Sequence, residues 1–74
     1  MEQLHDVSRP LRILRLRDVR SKTGRSTSSI YEGMRDGTFP RSVPLGGAAR
    51  GWVETEIDDW ISARIRERDR VSSS

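Results

Sequence analysis

Four consecutive hydroxyls, Ser26-Thr27-Ser28-Ser29, stand between Thr23-Gly24 and Ile30-Tyr31, and arginines flank them on both sides. All but one of the 14 Lys and Arg residues are Arg, whose planar guanidinium donates in pairs to a phosphate or a guanine edge. The chemistry on offer is hydrogen bonding to a polyanion. Bond-making chemistry has no comparable set: His5 is the single histidine, cysteine is absent, and Asp58 and Asp59 are accounted for by a helix start. No nucleophile and base pair can be nominated, so the chain is not expected to be an enzyme. Gly46 and Gly51 have the separation of the two P-loop glycines, but Trp52 stands where the lysine must be. The sequence implies no cofactor and no metal.

The charge is unevenly distributed. The net charge of the 74 residues is +3. Residues 1–53 hold ten basic and five acidic side chains, a balance of +5, and residues 54–74 hold four and six, a balance of −2. With a pI near 10.5, a polyanionic partner is expected, most often nucleic acid. The absence of cysteine removes disulfides and suits a reducing, cytoplasmic setting. No apolar run approaches the roughly 20 residues that span a bilayer, so no membrane partner is expected.

Punctuation by Gly, Pro and hydroxyls places the elements that would position these groups. Residues 1–11 read as a flexible tail and 12–69 as one domain, with 70–74 as a second tail. Leu16, Val19 and Thr23 share one stripe of a short helix that Gly24 stops. A second helix starts on a Ser26 cap, runs to Asp36 with Ile30 and Met34 one turn apart, and ends at Gly37. Gly33 within it lowers helix propensity by up to about 1 kcal/mol relative to Ala, as if the helix completed its order only on its partner. Val43 and Leu45 share one face of a strand that Pro44 confines to a sheet edge. Trp52 and Val53 begin the return strand of a hairpin. A last helix is expected from a Thr55 cap with Asp58 at capping-box spacing, burying Ile57, Trp60, Ile61 and Ile65. Arg64, Arg66, Arg68 and Arg70 alternate with Glu67 and Asp69 as a self-paired solvent face. Trp52 and Trp60 read as packing anchors.

Two helices joined by a Gly-containing turn match the helix-turn-helix unit, whose second helix enters a DNA major groove. The hairpin behind it supplies a wing. The expected fold is therefore mainly α with a small β-hairpin, a winged helix-turn-helix. With Ile30 and Met34 inward, the outward stripe holds Ser28, Tyr31 or Glu32, and Arg35, with Thr27 at the exposed helix tip. Ser26, Thr27 and Ser28 are small enough to let a phosphate approach the free N–H groups of the helix start. Lys22 and Arg25 flank the first turn and Arg41 and Arg50 the hairpin, as candidate phosphate contacts with Arg50 the foremost on the wing.

Residues 12–65 also resemble the AlpA family of phage and prophage regulators, small MerR-like winged-helix proteins related to excisionases. The resemblance is carried by Thr23-Gly24, Ile30-Tyr31, Gly37-Thr38-Phe39-Pro40, Val43-Pro44-Leu45-Gly46, Gly51-Trp52 and Thr55-Glu56-Ile57-Asp58-Asp59-Trp60. It implies sequence-specific binding of double-stranded DNA by the Ser26 to Asp36 helix, in a transcriptional regulator or an excisionase that works beside an integrase or RNA polymerase. One domain reads few base pairs, so cooperative self-association on repeated sites is expected. Glu32 departs from the pattern, as an acid on the DNA-facing stripe. It can accept from a cytosine amino group or pair with Arg35 at i+3, and the pairing is the favoured expectation. The alternative from another class is a protein-interaction adaptor or antitoxin-like module on the same fold, with its arginines on an acidic protein.

Overall fold

Helices of two or three turns cannot bury an apolar stripe alone, and their stability comes from what that stripe packs against. In the computed structural model, which describes residues 10–72, the chain builds strand β1 (Ile13–Leu14), helices α1 (Leu16–Thr23) and α2 (Thr27–Asp36), strands β2 (Val43–Gly46) and β3 (Ala49–Val53), and helix α3 (Glu54–Ser72). The winged helix-turn-helix expected from the sequence is present, with three helices against one small sheet. Leu14, Val19, Ile30, Phe39, Trp52 and Ile57 form the core, and Leu16, Met34, Trp60 and Ile61 pack around it. The core thus draws one residue from each helix, one each from β1 and β3, and Phe39 from the segment between α2 and β2. No helix among the described residues is long and apolar enough to cross a membrane.

The turn between α1 and α2 is made by local chemistry. Gly24 sits at φ 75°, a left-handed conformation that costs glycine little, and its N–H donates to the Arg20 carbonyl at 2.8 Å. Thr23 Oγ1 donates to the Val19 carbonyl at 2.7 Å and accepts from the Arg25 N–H at 3.2 Å. Ser26 then caps α2 through its side chain, which accepts the Ser29 N–H at 3.2 Å. Gly37, at φ 81°, closes the helix.

The sheet order is β1-β3-β2, antiparallel throughout. Pro44 lies on the edge strand β2, as its missing N–H demands, opposite Arg50. The register of β1 places Leu14 beside Trp52 and Ile13 beside Val53. The sequence reading missed β1, because two residues are too few to show a period. It also misplaced the start of the last helix. α3 begins at Glu54, directly after β3, and not behind a Thr55 cap; the Glu54 N–H donates to the Arg12 carbonyl at 2.8 Å. α3 also continues as helix to Ser72, beyond the expected boundary at 69. Its far half outruns the core, so Ile65, expected to be buried, is 45% exposed. Of the expected amino-terminal tail, residues 1–9 lie outside the described residues.

Gly33 has a different explanation from the one its propensity suggests. α2 is complete around it, and Gly33 is buried. A Cβ there would lie 2.7 Å from the Phe39 Cβ, closer than two side-chain carbons can pack. Its carbonyl accepts from the N–H groups of both Thr38 and Phe39, folding the chain back along the helix. Gly33→Ala should therefore lower stability by up to about 2 kcal/mol despite the better helix former, since overpacking costs about 1–3 kcal/mol and propensity returns only about 1 kcal/mol. Ser28→Ala on the exposed face of the same helix should stay within about 0.5 kcal/mol. Urea denaturation of the two variants beside the wild type checks both.

Candidate nucleic-acid interface

The burial of α2 divides it cleanly. Ile30 and Gly33 are buried and Thr27 and Met34 half-buried, which leaves Ser28, Tyr31, Glu32, Arg35 and Asp36 on the exposed side. Thr27 is thus part of the packed side of the tip, not its exposed end. The other hydroxyls also separate. Ser29 Oγ donates to the Ser26 carbonyl at 3.0 Å, and Ser26 Oγ donates to Ser29 Oγ at 3.1 Å while capping the helix. Ser28 is the one exposed hydroxyl of the run without a side-chain hydrogen bond among the described residues.

Glu32 and Arg35 share this stripe without the expected ion pair between them. Both side chains lie in open solvent, where an i,i+3 pair offers only a few tenths of a kcal/mol. Tyr31 is at the edge of the stripe, 36% exposed, its ring edge-on to Trp52 with centroids 6.3 Å apart. In the wing turn, Gly46 and Gly47 take φ 107° and 57°, and a bulge between Pro44 and Gly46 tightens it.

The remaining basic candidates divide by what already holds them. Lys22 Nζ meets Glu54 Oε2 and Asp58 Oδ1, each at 2.8 Å, and ties α1 to the start of α3. Arg25 is folded inward over two rings, its Cζ 5.4 Å from the Trp60 centroid and 5.8 Å from that of Phe39. It also donates to Ser29 Oγ and to the Ser29 carbonyl, each at 3.3 Å. Arg50 lies back along the hairpin, with Nε donating to Ser42 Oγ at 2.8 Å. Ser42 is the buried polar residue of the domain, and this contact satisfies it. Arg41 is exposed with no ion pair among the described residues. Of the cations nominated from sequence, Arg35 and Arg41 therefore face solvent uncommitted, while Lys22, Arg25 and Arg50 staple the fold. Sequence reasoning passed over Arg15, whose Nε donates to the Arg50 carbonyl at 3.1 Å, and Arg17, which is 91% exposed. Their signal was only their position before and inside the first helix, the same as any surface arginine. The described residues contain no group of three or more His, Cys, Asp or Glu side chains placed to hold a metal ion.

A family model described as the prophage CP4-57 regulatory protein (AlpA) matches residues 12–65. Among curated proteins, the DNA-binding transcriptional activator AlpA of Escherichia coli (strain K12) is 42% identical over 62 residues, covering 76% of this chain and 89% of the relative. An uncharacterized protein, ORF88, of Enterobacteria phage P4 is 42% identical over 59 residues, covering 80% of this chain and 67% of the relative. No solved structure matches the chain significantly.

The Lys22 tie carries a pH signature. Hydrogen bonds to Asp58 and then Glu54 hold the ammonium above its ordinary pKa of 10.5. A raised folded-state pKa means the stabilisation is fully present below 10.5 and is lost as pH rises through the higher folded value. Lys22→Met should lower the melting temperature at pH 7, and the gap to wild type should close only above about pH 10.5. Thermal melts by circular dichroism from pH 6 to 11 measure it.

Proposed function

Because the chain belongs to the AlpA family of prophage regulatory proteins, matched over residues 12–65, we propose that it is a DNA-binding regulator of transcription whose α2 enters the major groove. The observation that carries this reading is the exposed stripe of Ser28, Tyr31, Glu32 and Arg35 on the second helix of a helix-turn-helix, beside a wing. Its chemistry divides by position. The amino-terminal turn of α2, with Ser26 capping and Thr27 small, sets free backbone N–H groups toward a phosphate. Ser28 is placed for a base edge or a sugar, and Arg35 for the O6 and N7 of a guanine.

Glu32 works by selection. A carboxylate near phosphates is repelled everywhere except where a donor meets it, and of the two major-groove amino donors, adenine N6 and cytosine N4, the cytosine group is the usual partner of a carboxylate. It lowers binding to all sequences and least to those with cytosine in reach, which is specificity obtained by penalising the wrong partner. Contact with RNA polymerase belongs to this reading, since the Escherichia coli relative is described as a transcriptional activator. So do several copies on repeated sites, because one recognition helix spans few base pairs. An excisionase role beside an integrase would use the same interface, and a recombination assay separates it from control of transcription.

Two variants test the reading on duplexes selected from random sequence and on an unselected duplex, by fluorescence anisotropy. Arg35→Ala should lose about 1–3 kcal/mol on the selected site, the worth of one bidentate base contact, and much less on the unselected duplex. Glu32→Ala should gain affinity for the unselected duplex and narrow the ratio between the two. Equal binding by wild type and Arg35→Ala on the selected site would remove α2 from the interface.

A further inference from the structure

A groove of about 480 Å³ lies between the first turn of α1, the Tyr31 end of the α2 stripe and the wing, with Arg15, Arg17, Tyr31, Ala48, Arg50 and Trp52 among its walls. Three features give it a chemical preference. Its charged lining is arginine alone, with no carboxylate in the wall. The carboxylate nearest to Arg17 is that of Asp18, at 4.0 Å with both side chains more than half exposed, a geometry that neutralises little in water. The floor is apolar and preformed, because Trp52 is 1% exposed and its indole Nε1 is already satisfied by the Pro40 carbonyl at 3.1 Å. Finally, Arg15 is held across the gap by its hydrogen bond to the Arg50 carbonyl, which engages Nε and joins α1 to strand β3. The guanidinium is thereby oriented before any ligand arrives, and ordering costs are reduced.

We propose that this groove seats the phosphodiester backbone of the DNA strand that runs between the major groove read by α2 and the wing. The inference rests on the reading of α2 as the recognition helix. Tyr31 makes the two surfaces continuous, since it ends the α2 stripe and lines the groove, and its phenol hydroxyl is a donor for a phosphate oxygen. Arg15 and Arg17 supply planar forks that match phosphate in pairs. Arg50 contributes differently: its guanidinium stays on Ser42 and braces the hairpin, while its carbonyl positions Arg15. The groove therefore fixes register and affinity, and carries no information about base sequence.

The test compares wild type, Arg17→Ala, the double variant Arg15→Ala with Arg17→Ala, and Arg35→Ala. Each is titrated against a selected duplex and an unselected one over a range of salt. Among the described residues Arg17 pairs only with Asp18, so its variant should melt with the wild type and still bind. Its affinity should fall about three- to tenfold by the same factor on both duplexes, and the slope of log K against log salt should become shallower by about one. In the double variant the slope should become shallower by about two. An unchanged slope for Arg17→Ala, or a loss confined to the selected duplex, overturns the phosphate seat. If Arg35→Ala still weakens the selected site in that case, the reading of α2 stands without the seat. If the wild-type chain binds neither duplex, the reading of α2 fails, and the seat with it.

Discussion

The close approach of Phe39 to the backbone of Gly33 is the contact on which the rest of the domain depends. Removing the side chain at 33 lets the chain leave α2, bend at Gly37 and return along the helix, with the Gly33 carbonyl accepting from Thr38 and Phe39. That return places Phe39 edge-on to Trp60, centroids 4.9 Å apart, and exposes two carbonyls for the indoles. Trp60 Nε1 donates to the Thr38 carbonyl at 2.8 Å, and Trp52 Nε1 to that of Pro40 at 3.1 Å. The segment 38–40 is therefore the junction where α2, β3 and α3 meet. Because Trp52 is also the anchor of β3, the position of the wing relative to α2 follows from this one junction.

Around it, charged side chains act as joints more than as a surface coat. Lys22 bridges α1 to the first turn of α3 through Glu54 and Asp58, and Glu54 also reaches Arg12 at 3.5 Å. The acidic balance of residues 54–74 is thereby partly consumed in holding the basic helix hairpin. Arg25 fills the space over Phe39 and Trp60, where its stem packs and its charge meets two ring faces. A small core benefits from such contacts, since a chain of this size buries only about 60% of the surface its unfolded form exposes. Among the described residues, Arg35 and Arg41 are the nominated cations left without a partner, while on the far side of Tyr31 Arg15 keeps its Nε on the Arg50 carbonyl and Arg17 meets only the exposed Asp18.

The hydroxyl run shows how far a local signal reaches. Ser26 caps the helix where the sequence puts it, and Ser29 bonds back to it, both through hydrogen bonds spanning three residues. Thr27 and Ser28 differ only in which side of the helix meets the core, and that side is set by Ile30 and Gly33. The periodicity of Ile30 and Met34 predicted the exposed stripe in outline, while the role of Gly33 could not be seen in it. Helix propensity describes a residue's own backbone, whereas the space beside Gly33 is taken by a residue on a different element.

The amino-acid sequence by itself determined the order of helix, turn, helix and hairpin, the caps at Ser26 and Gly37, the turn at Gly24 and the edge position of Pro44. Each of these is decided within about four residues, by a left-handed backbone angle, a missing N–H or a side chain bonding its own turn. The AlpA resemblance was legible for the same reason, because its motifs are the turns and anchors of that order. Only the tertiary structure decided which arginines find partners, that Glu32 has none among the described residues, that β1 completes the sheet, and that α3 starts on β3 and outruns the core. Those outcomes rest on pairs such as Lys22 with Glu54, Arg15 with Arg50 and Leu14 with Trp52. Such pairs lie 30 or more residues apart in sequence, and no local pattern in a chain of interchangeable arginines can say which of them will meet a partner.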